Sequence, residues 1–216
     1  MQKFRAKKAH LRKWLLAGSL LIAVTTVMAT DHYPKNHDVD IVHYRFELLL
    51  SEQTDVIKGK ATIEIHLKKA NINQVRLDLA SLSTHAETAG KGMVVDSVSA
   101  QGQRLRFTHG NNELWITFPQ PSSAGQHRTI TIHYQGIPIT GLHIKPNQHG
   151  DKTFFSDNWP DLTRHWLPVV DHPYDKASCE LIVTAPDHYS VISNGLKLEE
   201  SSVGNGLKKT HWKQSI

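Results

Sequence analysis

A single cysteine, Cys179, in 216 residues excludes an intramolecular disulfide. Stability must therefore come from an apolar core, which a chain of this length can bury. There is no His-Glu-x-x-His and no C-x-x-C, the spacings that bring metal ligands to one face. There is no G-x-S-x-G elbow to raise a nucleophilic serine, and no glycine-rich loop to cradle phosphate. Internal repeats, low-complexity tracts, heptad seams and long amphipathic helical patterns are missing as well. The sequence carries no self-contained active site of a familiar kind.

Also lacking, once its position is considered, is any basic surface. Lys and Arg number 25 against 20 Asp and Glu, giving a net charge of +5 and a pI near 9.3. Six of those cations (Lys3, Arg5, Lys7, Lys8, Arg12 and Lys13) fall in residues 1–29, which contain no acid. The remainder holds 19 cations against 20 acids, about −1, so no footprint for nucleic acid exists beyond that segment. After Lys13 comes an apolar run, Trp14 to Ala29, short for a membrane span, with Val27 and Ala29 at the −3 and −1 positions of a small-residue cleavage site. Residues 1–29 therefore read as a signal peptide that forms a signal helix. The mature chain, 30–216, is expected to be exported, periplasmic or secreted, or membrane-anchored if the signal is uncleaved. No cysteine follows the apolar run directly, which argues against a lipid anchor.

What is present is period two. Val39–Ser51, Val56–Lys69, Gln74–Ser81, Met93–Gly102, Arg104–Gly110, Glu113–Pro121 and His127–Gly136 alternate apolar and polar residues between Gly, Asn and Pro punctuation. Ser178–Pro186, Tyr189–Ser201 and the stretch after Gly204-Asn205-Gly206 continue the pattern. These predict an all-β domain of mostly antiparallel, half-buried strands, with hairpin turns at His109–Glu113 and at Gly204–Gly206. Residues 80–92 read as a loop with at most one helical turn. Cys179 lies in an alternating strand and reads as a packed thiol.

The segment from Ser156 to Ser178, SDNWPDLTRHWLPVVDHPYDKAS, concentrates the reactive side chains. His165 and His172 are separated by Pro168 and a turn, so no regular element brings them to one face. His32 with His37, and His143 with His149, are loop pairs. No metal site is expected in this chain. Asp171 and Asp175 flank His172-Pro173-Tyr174 and read as turn caps before acid–base groups.

The same segment carries a resemblance. Arg164, Trp166, Leu167-Pro168, Asp171, Pro173, Lys176-Ala177 and the turn Ser193-Asn194-Gly195 resemble the N-terminal domain of the zinc aminopeptidases, the family of aminopeptidase N and leukotriene A4 hydrolase, in a bacterial branch. Tyr44 to Leu67, with Gly59 and Ile63, is similar to the opening strands of that domain. Ile132 to Leu142 is similar to its Tyr-x-Gly…Gly-Leu strand and exit. The resemblance implies a saddle-shaped antiparallel sheet or sandwich that packs on a catalytic domain, walls its peptide-substrate cleft and has no cofactor of its own. The zinc, His-Glu-x-x-His and the Gly-x-Met-Glu-Asn strand are expected in that other domain, so this chain is expected to be inactive alone. Asp157 matches a position where relatives place Gln or Glu to hold the substrate's amino end, which makes it the substrate-binding candidate. Arg164, Pro168, Asp171, Pro173, Lys176, Asn194 and Gly195 are expected to be structural, with Arg164 pairing an acid such as Asp171. Trp159 and Trp166 are expected to pack against the sheet or the catalytic domain. Two alternatives stand beside this reading: a standalone β binding or scaffold module, and a small hydrolase with an unrecognised His/Asp site.

Overall fold

The computed structural model describes residues 31–215, and everything below concerns the unit that begins at Lys35. The signal-peptide reading lies outside the described residues. Thirteen strands are described: β1 Val39–Leu49, β2 Ile57–Leu67, β3 Gln74–Asp78, β4 Gly92–Ala100, β5 Gln103–Arg104, β6 Arg106–Gly110, β7 Glu113–Thr117, β8 Gln126–Ile137, β9 Leu142–Pro146, β10 Lys152–Ser156, β11 Ser178–Pro186, β12 Leu196–Gly204 and β13 Leu207–Gln214. Helical structure among the described residues is limited to two 3-10 turns, Ala86–Thr88 and Thr163–His165. The first lies inside the predicted loop.

Eight strands form one sheet in the order β12-β13-β11-β1-β2-β8-β4-β5. β3, β7 and β6 form a second sheet, with β7 between the other two, and β9 with β10 a third. Pairing is antiparallel except where β11 lies parallel to β1, His43 opposite Ser178 through Leu49 opposite Thr184. The alternation in sequence becomes the two faces of the large sheet. Ile63, Ile65 and Leu67 of β2 meet Ile130, Ile132 and Tyr134 of β8 in one core with Val75, Leu77, Leu114 and Ile116 of the three-stranded sheet, a sandwich-like packing of two layers. A bulge in β1 between Ile41 and His43 lets Ile41 and Tyr44 both face this core although three residues apart. His43, Arg45 and Glu47 then point the other way, where they meet Glu180 of β11 or Lys60 of β2.

Turn chemistry follows the residues. Asn111 and Asn112 both adopt positive φ (53° and 61°) and close the β6–β7 hairpin. The residues of the β12–β13 turn, Gly204, Asn205 and Gly206, do the same. The stretch Tyr189–Ser201 is not one strand. Its first seven residues are irregular and β12 starts at Leu196. At the entry to β12, Gly195 adopts φ 88°, and an added Cβ would sit 2.0 Å from the Lys213 carbonyl oxygen of β13. β9 and β10, which the alternation does not reveal, pair around the turn at Asn147–Gly150. Cys179 is a packed strand thiol held protonated, its pKa pushed up to about 11 by burial and by Glu180.

Candidate functional site

The segment 156–178 does not gather its histidines. Among the described residues no group of three or more His, Cys, Asp or Glu is placed to hold a metal. His165 is half-buried, its Nδ1 has no hydrogen-bond partner, and burial together with the Arg164 charge lowers its pKa. His172 accepts the Tyr174 N–H at Nδ1, 3.1 Å, inside the turn that Pro173 shapes.

The segment instead builds an ionic node. The Arg164 backbone N–H and its Nε both donate to Asp171 Oδ2 (3.0 and 3.2 Å), and Nη2 donates to the Asp171 carbonyl (3.2 Å). The node's anchor is Asp78, at the end of β3 and 1% exposed. Its Oδ1 takes Arg76 Nη2 at 3.0 Å, its Oδ2 accepts the Asp171 N–H at 2.9 Å, and Arg164 Nη2 stands 3.7 Å away. The Asp78 backbone bridges Val169 in both directions, and Pro168 is buried beside it. Sequence reasoning missed Asp78. Arg76 and Asp78 alternate with Val75 and Leu77, and that pattern reads as a solvent face until the 164–171 segment folds over it. Of the other structural-motif residues, Gly195 marks the start of β12, while Pro173, Lys176 and Asn194 are exposed.

Asp175 lies outside the node. Its Oδ1 accepts the Ile41 N–H at 3.3 Å, and burial, aided by Asp40, pushes its pKa from 3.8 up to about 6 against the opposing pull of Ile41 and Lys68. A carboxyl with a raised folded-state pKa binds more protons folded than unfolded between those values. Its contribution to stability is therefore full below about pH 4 and is lost as pH rises through 6. Asp175→Asn is expected to remove this loss, so the variant's stability relative to the parent rises between pH 4 and 7. Urea midpoints at pH 4, 5, 6 and 7 measure it, and a constant difference would refute it.

Asp157 follows the last residue of β10 and is exposed. Its backbone donates to the Gly141 carbonyl at 2.8 Å, and its Oδ1 accepts the Trp159 N–H at 3.4 Å, forming an Asx-type turn. Three further contacts hold the loop. Asn158 Oδ1 accepts Trp166 Nε1 at 2.9 Å, and the Asn158 carbonyl accepts the Leu162 N–H at 3.1 Å. Gly141, at φ 77°, lies so close that a Cβ would stand 2.2 Å from the Leu162 carbonyl. Trp166 is buried, whereas Trp159 is 83% exposed and does not pack on the sheet. Ser156, next to Asp157, lines an apolar groove of about 470 Å³ whose walls include Phe154, Phe155, Trp166, Leu181, Tyr189 and Ile192. Phe155 and Ile192 stand 65% and 84% exposed at this groove. The arrangement presents one fixed carboxylate, able to take an ammonium group, next to apolar surface. It offers no nucleophile–base pair.

Comparison with known proteins bears on this geometry. The sequence model of the Peptidase M1 N-terminal domain matches residues 40–216. The crystal structure of an M1 zinc metallopeptidase from Deinococcus radiodurans superposes with a TM-score of 0.68 at 26% identity, covering 84% of this chain and 40% of that one. A mutant M1 zinc metallopeptidase from Deinococcus radiodurans bound to a Tyr-Ser-Ala substrate gives the same TM-score and identity over 83% and 40%. A mutant two-domain M1 zinc metallopeptidase bound to L-tryptophan shares the fold, with a TM-score of 0.69 at 23% identity over 84% and 40%. The chain thus spans about 40% of the length of these structures. No curated protein matches it.

Proposed function

The chain belongs to the peptidase M1 N-terminal domain family, and from that premise we propose that it is the non-catalytic β domain of an exported zinc aminopeptidase. In this reading it packs on a zinc-bearing catalytic domain and forms one wall of the cleft that receives the N-terminus of a peptide. The zinc is held by that other domain, and residues 1–29 direct export to the periplasm or beyond, with residues 30–216 as the mature domain. The observation that carries the reading is the Asp157 loop. It is fixed by Gly141, Asn158 and Trp166 and set beside an apolar groove with exposed Phe155 and Ile192. Exposed apolar groups beside a groove suit a domain interface, and a fixed carboxylate suits an α-ammonium group.

The chain alone, supplied with zinc, is expected not to hydrolyse aminoacyl arylamides. Activity that co-purifies with the chain and is lost on mutating one of its His or Asp residues would overturn the reading in favour of a small hydrolase. The gene downstream of codon 216 is expected to encode Gly-x-Met-Glu-Asn and His-Glu-x-x-His, and a stop codon there would favour a standalone binding module. In an enzyme that carries both domains, Asp157→Ala is expected to raise KM for aminoacyl arylamides more than it lowers kcat, and unchanged kinetics would remove Asp157 from the cleft.

A further inference from the structure

We propose that His66 and His127 form a two-imidazole site for a transition-metal dication, copper(II) foremost, on the solvent face of the eight-stranded sheet, with Asp40 as its positioning residue. The three residues form one row across β1, β2 and β8. Asp40 is paired in register with His66, and His66 with His127. The row lies on the face opposite Ile65 and Leu67, which are fully buried. Paired residues on antiparallel strands hold their Cβ atoms about 5 Å apart. The two imidazole rings accordingly lie with centroids 4.5 Å apart and planes within 8°.

A metal dication suits this pair better than any organic ligand. Neutral imidazoles stacked in parallel present lone pairs, and rotation about χ2 of histidine is soft, so both rings can turn one nitrogen toward a shared point. Asp40 Oδ2 lies 3.8 Å from His66 Nδ1. That separation is beyond a hydrogen bond in the metal-free chain; a turn of the His66 ring that closes it would put the proton on Nδ1 and leave Nε2 to ligate, the carboxylate–histidine–metal arrangement. Lys68 Nζ, 2.9 Å from the other Asp40 oxygen, holds that carboxylate in the row. With two protein ligands, water completes the coordination sphere. Imidazole ligation and the Irving–Williams order then rank copper(II) above nickel(II) and zinc(II).

Titration of the chain with copper(II) chloride, followed by electron paramagnetic resonance and tryptophan quenching, tests the site. One equivalent is expected to bind with the signature of two nitrogen ligands and to raise the unfolding temperature. His66→Gln and His127→Gln are each expected to lose that equivalent. Asp40→Asn weakens it about tenfold, and His143→Gln, on β9, leaves it unchanged. Both histidines face solvent, so circular dichroism should show the variants folded. If His66→Gln and His127→Gln bind copper with the parent's affinity and spectrum, or if His143→Gln loses it, the assignment is wrong.

Discussion

Replacing Asp78 by alanine is expected to lower stability by about 3 kcal/mol, the lower end of what breaking a buried ion pair costs. The carboxylate is 1% exposed at the end of β3. Removing it leaves Arg76 and Arg164, whose side chains are only 14% and 21% exposed, without the anion between them. It also strips the Asp171 N–H of its 2.9 Å acceptor in a partly buried site. Arg76 retains Glu113 at 3.0 Å and Arg164 retains Asp171 at 3.2 Å, which keeps the cost from the upper end of the range. Asp78→Asn preserves shape and one acceptor and should cost roughly half as much, because only the charge is lost. Urea unfolding followed by tryptophan fluorescence measures both. In a domain of this size the alanine variant should melt about 6–12 °C lower. A cost below about 1 kcal/mol for Asp78→Ala would mean that the node is already open to water. A double-mutant cycle of Asp78→Ala with Arg164→Ala should show coupling above about 1 kcal/mol, since the two share partners.

The reason Asp78 is invisible in the sequence separates what sequence can carry from what it cannot. Strands β1, β2, β8 and β11 are long and sealed on one face, so the period of two marks them within a few residues. The hairpin turns carry their own chemistry in Asn111-Asn112 and Gly204-Asn205-Gly206. β9 and β10, five residues each and mostly half-buried or exposed, leave too little alternation to register. The parallel junction of β1 with β11 is a tertiary choice. Both strands alternate alike whichever neighbour they take, and the pairing spans well over a hundred residues. Asp78 belongs to the same class: its burial comes from the 164–171 segment crossing over β3. By contrast, Arg164, Asp171 and Pro168 are legible through the resemblance because the motif that carries it is local and holds all three. Asp157 is legible only through resemblance, and its fixed geometry depends on Gly141 and Trp166.

Gly59→Ala is the second large effect, and it reverses the usual sign for glycine in a strand. Adding a methyl group to a strand glycine ordinarily stabilises by about 0.4–1 kcal/mol, through the unfolded chain. Here a Cβ at Gly59 would stand 2.2 Å from Cζ and 2.5 Å from the hydroxyl oxygen of Tyr134, its register partner on β8. Tyr134 is 1% exposed and packed on all sides, so the ring has no free direction in which to swing. The strain of overpacking should therefore dominate, at about 2–3 kcal/mol net. The tyrosine hydroxyl is itself buried with no hydrogen-bond partner, and burial raises its pKa. Tyr134→Phe should consequently be neutral or stabilising by about 1 kcal/mol. It should not rescue Gly59→Ala, because the phenyl Cζ stays in place. Tyr134→Leu, which withdraws the ring, should make Gly59→Ala cheaper by about 1 kcal/mol or more in a double-mutant cycle. If Gly59→Ala is as destabilising in the Tyr134→Leu background as in the parent, the ring is not what requires the glycine, and the close approach of β2 to β8 has another cause.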